Sequence, residues 1–262
     1  MNEEMLTGGS INSVTRRGDV VYRNGGPWVP AIRAVLDHLG QSGFPYGPKA
    51  LGVDDQDREM ITYLPGEPMM RPWRTVMFTD EALVQAATML RELHAATLDL
   101  VLPPDTVWRS GPAAKNAGQV IRHGDLGPWN TLWQGNRLTG LIDWDFAEPG
   151  LPLTDLAQLA LYFVPLRGEE HWREAGFPDR PDFAHRLGML CDVYGTYSAA
   201  EVVQAIARLQ QTSIVEIAER AARGLYPWTM FRDKGEIERT RFELDWLRSI
   251  IPVTSLPDQP PS

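Results

Sequence analysis

The chain has 262 residues, 43% of them apolar and 23% charged, with a net charge of -9. That length supports one large domain or two unequal lobes with ample core, and no stretch approaches the roughly 18 to 20 apolar residues of a membrane span. The acidic balance argues against a nucleic-acid partner, which needs a basic footprint, and is compatible with a cationic ligand drawn in by the field of the whole protein. The opening residues, MNEEML, are acidic where a secretory signal is basic, so export is not expected. The single cysteine, Cys191, precludes an internal disulfide and suits a reducing, cytoplasmic setting.

In chain order, Ile11 to Arg16 and Val20 to Arg23 are β-prone runs around Arg17-Gly18-Asp19, which predicts a hairpin. Gly25-Gly26-Pro27 breaks the chain, and Pro30 opens a helix whose apolar Ala31, Ile32, Val35, Leu36 and Leu39 recur at three and four. Two strands follow, Ala50 to Val53 and Glu59 to Leu64, around the polar turn Asp54 to Asp57. Pro65-Gly66-Glu67-Pro68 with Arg71-Pro72 reads as a hinge. Beyond it Thr79 caps a helix with Asp80 and Glu81 in its first turn and Leu83, Ala86, Ala87, Leu90 and Leu93 on one face.

The centre, Gln119 to Ile142, returns to strands. From Thr154 the pattern is helical almost to the end. Ser198-x-x-Glu201 is a capping box before Val202, Val203, Ile206 and Leu209. Gly224 and Pro227 mark a break, one last helix carries Phe231, Phe242, Trp246 and Leu247, and Pro257 to Ser262 reads as a loose tail. The expected class is α+β, with a small β-rich N-terminal lobe over residues 1–66, a larger helical C-terminal lobe over residues 67–262, and a ligand cleft between them.

One segment concentrates the chemistry. A strand ends in His123-Gly124-Asp125, a tight loop containing Gly127-Pro128 leads to Asn130, and a hairpin turned at Gly135-Asn136 returns along Leu138 to Ile142 and ends in Asp143. The fold-back sets Asn130 and Asp143 side by side, with Asp125 across a short loop, so three oxygen-bearing side chains converge at one end of a small sheet. Hard oxygen ligands of this kind suit Mg²⁺, which shares itself with phosphates and water. Phosphoryl transfer needs such a set: a carboxylate that orients the attacking hydroxyl and takes its proton, beside a cation that neutralises a triphosphate. The order and spacing are those of H-x-D-x-x-x-x-N followed by an Asp after a hairpin. A polar surface turn rarely reproduces four typed positions, and a zinc site built from His123, Asp125 and Asp143 runs against zinc's preference for His and Cys.

HGDLGPWN, then LIDWDFA, then Pro152-x-x-Asp155-Leu156-Ala157 resemble the aminoglycoside phosphotransferase family, a branch of the protein-kinase-like superfamily. The resemblance is dense over residues 119–160, looser over residues 8–66, and only a helical pattern after residue 165. It implies a two-lobed protein-kinase-like fold and transfer of phosphate from ATP, or GTP, with Mg²⁺ to a hydroxyl of an aminoglycoside, macrolide, choline, homoserine or methylthioribose. On the matched positions it implies Asp125 as catalytic base, His123 as a brace of the loop, and Asn130 and Asp143 as metal ligands. Asp155 would anchor the loop, and Asp145 would be either an acid behind the metal ligands or half of a structural salt bridge.

For nucleotide binding the resemblance implies a glycine-rich loop at Gly8-Gly9 and base contacts from the backbone of Thr62, Tyr63 and Leu64. It also implies a strand cation, for which the equivalent position holds Arg23 where the family has lysine; arginine grips phosphate through a bidentate fork but is no neutral exchange. The family's helix glutamate has no counterpart between Val29 and Leu39, where Asp37 is the only acid. Glu148, Glu169, Glu170, Asp182 and Asp192 are acids available to a polyamine, with solvated faces as the plainer reading. His94, His171 and His185 read as structural, and Trp129 and Trp144 sit inside the motif. Motif and charge together favour an aminoglycoside-type acceptor. Choline-like or homoserine-like acceptors, a kinase-like binding protein with little transfer, and a metal-dependent hydrolase are the alternatives.

Overall fold

Cross-strand pairing begins with the hairpin expected at the N-terminal end. The structure, a computed structural model, describes residues 4–5 and 14–250. The short strand β1 (Glu4–Met5) pairs with β2 (Val14–Arg17), which turns at Gly18-Asp19 into β3 (Val20–Arg23). Helix α1 (Val29–Gln41) buries Ala31, Ile32, Val35, Leu36 and Leu39, the five residues that its period selects. It has no side-chain cap at its N-terminus. Burial worth roughly 1.5–3 kcal/mol for each large aliphatic side chain outweighs that missing cap, whose loss costs about 1 kcal/mol. Strands β4 (Ala50–Val53) and β5 (Glu59–Thr62) complete an antiparallel sheet of order β1-β2-β3-β5-β4.

The segment expected as a hinge is partly sheet: β6 (Glu67–Pro68) pairs with Leu132 and Trp133. Helix α2 (Asp80–Thr97) starts as predicted, with Thr79 Oγ1 accepting the Ala82 N–H. A small hairpin that the sequence pattern does not announce, β7 (Val107–Trp108) and β8 (Gly111–Pro112), precedes β9 (Val120–Arg122). Then come the hairpin strands β10 (Thr131–Gln134) and β11 (Arg137–Leu141), and β12 (Glu148–Gly150), which pairs back onto β9.

The remaining elements are helices: α3 (Pro152–Phe163), α4 (Glu169–Glu174), α5 (Phe183–Tyr194), α6 (Ala199–Ala222), α7 (Trp228–Asp233) and α8 (Glu236–Ile250). The capping box at Ser198 and Glu201 is formed in both directions. The single last helix expected from the pattern is two, divided at Lys234-Gly235. Among the described residues no helix is long and apolar enough to cross a membrane.

The chain divides into two units, one running to Met70 and resuming over Gln85–Asp155, the other made of Arg71–Val84 and the chain from Leu156 onward. The second unit is tied internally by Arg186, which donates to the Phe163 and Phe78 carbonyls, and by the buried Arg167–Glu243 pair. The whole of the His123 to Asp143 segment lies in the first unit, together with the N-terminal strands.

Candidate active site

The hairpin β10–β11 places its two ends together, because the Ile142 N–H donates to the Asn130 carbonyl at 2.9 Å. Its other end is braced by Gln85 of α2, whose amide donates to the Asn136 carbonyl and accepts the Leu138 N–H. Asn130 Nδ2 donates to both the backbone oxygen and Oδ2 of Asp125, each at 2.8 Å. Asn130 Oδ1 is therefore the atom of that side chain left to meet a cation. Asp143 follows β11 in the left-handed region, at φ 62°, a conformation that Asp tolerates better than most residues.

His123 is fully buried behind this cluster. Its Nε2–H donates to the Ile142 carbonyl at 3.0 Å and its Nδ1 accepts the Asp125 N–H at 3.4 Å. Burial pushes its pKa below the usual imidazole range, so the ring is neutral with its proton on Nε2. Asp155 accepts the His123 and Gly124 N–H groups and lies 3.4 Å from His94 Nε2. Burial alone would raise the Asp155 pKa, but its donors hold it below the ordinary carboxylate value. Gly124 has φ 78°, and a Cβ there would come within 2.1 Å of the Phe146 carbonyl oxygen, so only glycine lets the two loops meet.

Arg23 meets this cluster from β3. Its Nε donates to Glu59 Oε2 at 2.5 Å, its Nη2 lies 2.9 Å from Asp145 Oδ1, and its Nη1 lies 3.8 Å from Asp143 Oδ1. Burial opposes its charge, but Asp145, Glu59 and Asp143 hold its pKa above the ordinary arginine value. Asp145 is shared with Arg109, 3.1 Å away, whose guanidinium lies between the rings of Trp28 and Phe146 at 4.5 and 4.7 Å. Asp145 thus forms salt bridges and also places its charge against Asp143.

Glu59 and Arg109 were not found by sequence reasoning. Glu59 carried a signal: it shares the inward face of its strand with buried Ile61, and Arg23 is its direct cross-strand partner. The acid that pairs with Arg23 therefore comes from β5, not from α1. Arg109 carried none, since it sits in a short hairpin without periodicity.

Other predicted residues lie elsewhere. Gly8 and Gly9 are outside the described residues. The Tyr63 N–H donates to the Asp19 carbonyl at 2.8 Å and its ring lies under the Arg16 guanidinium, so a base meeting the Tyr63 backbone would meet its carbonyl. Leu64 packs over Gly140. Among the described residues no hydrogen bond or ion pair joins Tyr63 or Leu64 to the Asp125 cluster. Of the candidate polyamine acids, Glu148 is held by Arg122 and Ser110, Glu169 by Arg173, and Asp182 caps α5. The histidines have structural partners: His94 faces Asp155, His185 bonds Asp80, and His171 is pushed down to about 2 by burial and by Arg167, Arg71 and Arg239.

Asp143 keeps 40% of its side chain open to solvent, yet its pKa is pushed up to about 6, first by burial of the carboxyl and then by Asp145. A carboxylate whose pKa is raised by burial and by neighbouring acids fits a divalent cation that takes its other ligands from phosphate and water. Above about pH 6 the charge on Asp143 disfavours the folded form, and as pH falls toward about 4 the folded form takes up the proton first and regains that stability. Asp143→Asn is therefore expected to raise the Tm of magnesium-free protein at about pH 8, with the gain vanishing near pH 4. Melting curves across that range check it; an unchanged or lower Tm at the alkaline end would contradict the assigned charge strain.

A family model described as "Phosphotransferase enzyme family" matches residues 98–185. The trifolitoxin immunity protein of Rhizobium leguminosarum bv. trifolii is 38% identical over 202 residues, which cover 74% of this chain and 75% of that protein. The chain belongs to the phosphotransferase enzyme family. Its fold is the protein-kinase-like one of this phosphotransferase family, mixed α and β. A choline/ethanolamine kinase family protein from Mesorhizobium loti aligns at TM-score 0.59 and 20% identity, over 95% of this chain and 93% of that one. The GDP complex of aminoglycoside 2'-phosphotransferase-IIIa aligns at TM-score 0.59 and 14% identity, with the same coverage.

Proposed function

We propose that this phosphotransferase moves the terminal phosphate of ATP or GTP, with Mg²⁺, to a hydroxyl of a toxic small molecule, with an aminoglycoside-type antibiotic as the leading acceptor. The observation that supports this best is the pair of 2.8 Å bonds that join Asn130 to Asp125, with Asp143 following the Ile142 N–H that bonds the Asn130 carbonyl. In this reading Asp125 orients the acceptor hydroxyl and takes its proton, and neutral His123 and ionised Asp155 fix its loop. Asn130 Oδ1 and Asp143 would hold Mg²⁺, which when bound neutralises charge on the phosphates. Arg23 adds a fixed cation beside them. The immunity role in the relative's name supports a protective function, and the net charge of -9 suits a cationic acceptor. The choline/ethanolamine kinase family neighbour keeps choline-like acceptors as the metabolic alternative.

A second reading, a kinase-like binding protein with little transfer, is favoured by one observation. The Arg23 guanidinium is already engaged by Glu59 and Asp145, which limits what it offers a phosphate. A thermal-shift screen separates the two. Mg²⁺ with ATP or GTP should raise the Tm, and one member of a panel of aminoglycosides, macrolides and amino alcohols should raise it further and turn over nucleotide. Ligand shifts without magnesium-dependent turnover would favour the binding protein. Phosphate release from simple phosphoesters without nucleotide would replace both readings with a hydrolase.

A further inference from the structure

Trp129 falls on an untyped position of H-x-D-x-x-x-x-N, yet it touches the residue read as the base. Its indole Nε1–H donates to Asp125 Oδ2 at 3.4 Å, the same oxygen that takes the Asn130 amide at 2.8 Å. Among the described residues Asp125 Oδ1 receives no hydrogen bond. The indole lies flat on Gly127: a Cβ at that position would come within 2.2 to 2.4 Å of three of its ring atoms. The glycine therefore serves close packing, and the ring is held where its N–H meets the carboxylate.

We infer that Trp129 is a positioning residue for the acceptor step, committing Oδ2 of Asp125 to N–H donors so that Oδ1 receives the acceptor proton. The inference rests on Asp125 being the base. In that step the acceptor oxygen forms a bond to the terminal phosphorus of the nucleoside triphosphate. The bond from that phosphorus to the bridging oxygen breaks, the nucleoside diphosphate leaves with the electron pair, and the hydroxyl proton passes to Asp125 Oδ1. A carboxylate free to rotate would present either oxygen, and the fraction of productive encounters would fall.

The test uses the full chain and three variants, Trp129→Phe, Trp129→His and Gly127→Ala. Nucleotide turnover is followed with water as acceptor and with whichever panel compound is accepted, beside the Mg²⁺-nucleotide thermal shift. Trp129→Phe keeps an aromatic ring and loses the N–H, so kcat should fall about tenfold with the nucleotide KM and the thermal shift unchanged. Trp129→His, which retains a ring N–H, should recover part of that loss. Gly127→Ala should reproduce it by displacing the ring, and the Gly127→Ala/Trp129→Phe double variant should lose no more than either single one. Wild-type kcat in Trp129→Phe, losses that multiply in the double variant, or a lost thermal shift would each overturn the inference. A wild-type chain with no turnover toward water or any acceptor would overturn the phosphotransfer reading beneath it, a failure seen before any variant is made.

Discussion

Asp125→Asn is expected to lower kcat by about 10²- to 10⁴-fold, the range that a positioned general base contributes, while leaving the Mg²⁺-nucleotide thermal shift in place. The two results belong together. Asparagine fills the same volume and offers an oxygen to the Asn130 amide, which now donates to Asp125 Oδ2, so the loop and its metal-side residues should persist. What disappears is the capacity to take a proton from an attacking hydroxyl. Steady-state turnover and melting curves on the same preparation check both halves. Retained turnover would remove Asp125 from the chemistry, and a simultaneous loss of the nucleotide shift would assign it a structural role instead.

The second large effect concerns stability. Arg23→Met is expected to destabilise the unit that contains it by about 3–5 kcal/mol, the cost of breaking a buried ion pair by removing one partner. That corresponds to a Tm lower by roughly 10 °C for a chain of this size. Glu59 is only 1% exposed and Asp145 is as deeply buried, so without the guanidinium Glu59 loses its cation in low dielectric and Asp145 keeps only Arg109. Among the described residues no other cation pairs with Glu59. Arg23→Lys should fall between the two, because a compact ammonium cannot bond Glu59 and Asp145 through separate nitrogens. Thermal and urea denaturation of magnesium-free protein measure the difference; equal stability of all three forms would mean that the ion pairs contribute little.

Much of the architecture was legible because single segments carry their own signals. The five buried residues of α1, the Thr79 cap, the Ser198 box and the hairpin around Gly135-Asn136 are all local patterns, and each formed as read. The candidate site was legible for a related reason: His123, Asp125, Asn130 and Asp143 lie within one stretch whose turn geometry brings them together. Glu59 was harder to see, since its role depends on the register between β3 and β5, separated by 36 residues from Arg23. Arg109 depends on the Trp28 ring from one segment and on the adjacent Asp145 and Phe146 from another, which no single-segment pattern encodes. The division of α7 from α8 was missed because one glycine within a helical pattern is either tolerated or terminal, and only the packing of the two helices decides which.

Gly124 is the point where the loop carrying the proposed base touches the loop carrying the proposed metal ligand, at a distance that excludes even a methyl group. The glycine of His-Gly-Asp is therefore a statement about motion as much as about shape. With the Phe146 carbonyl packed closely on Gly124 and His123 bonded across to Ile142, the two loops are expected to move together. Base and metal ligand would then share one frame, and hydrogen exchange at the two loops is expected to slow or quicken in step.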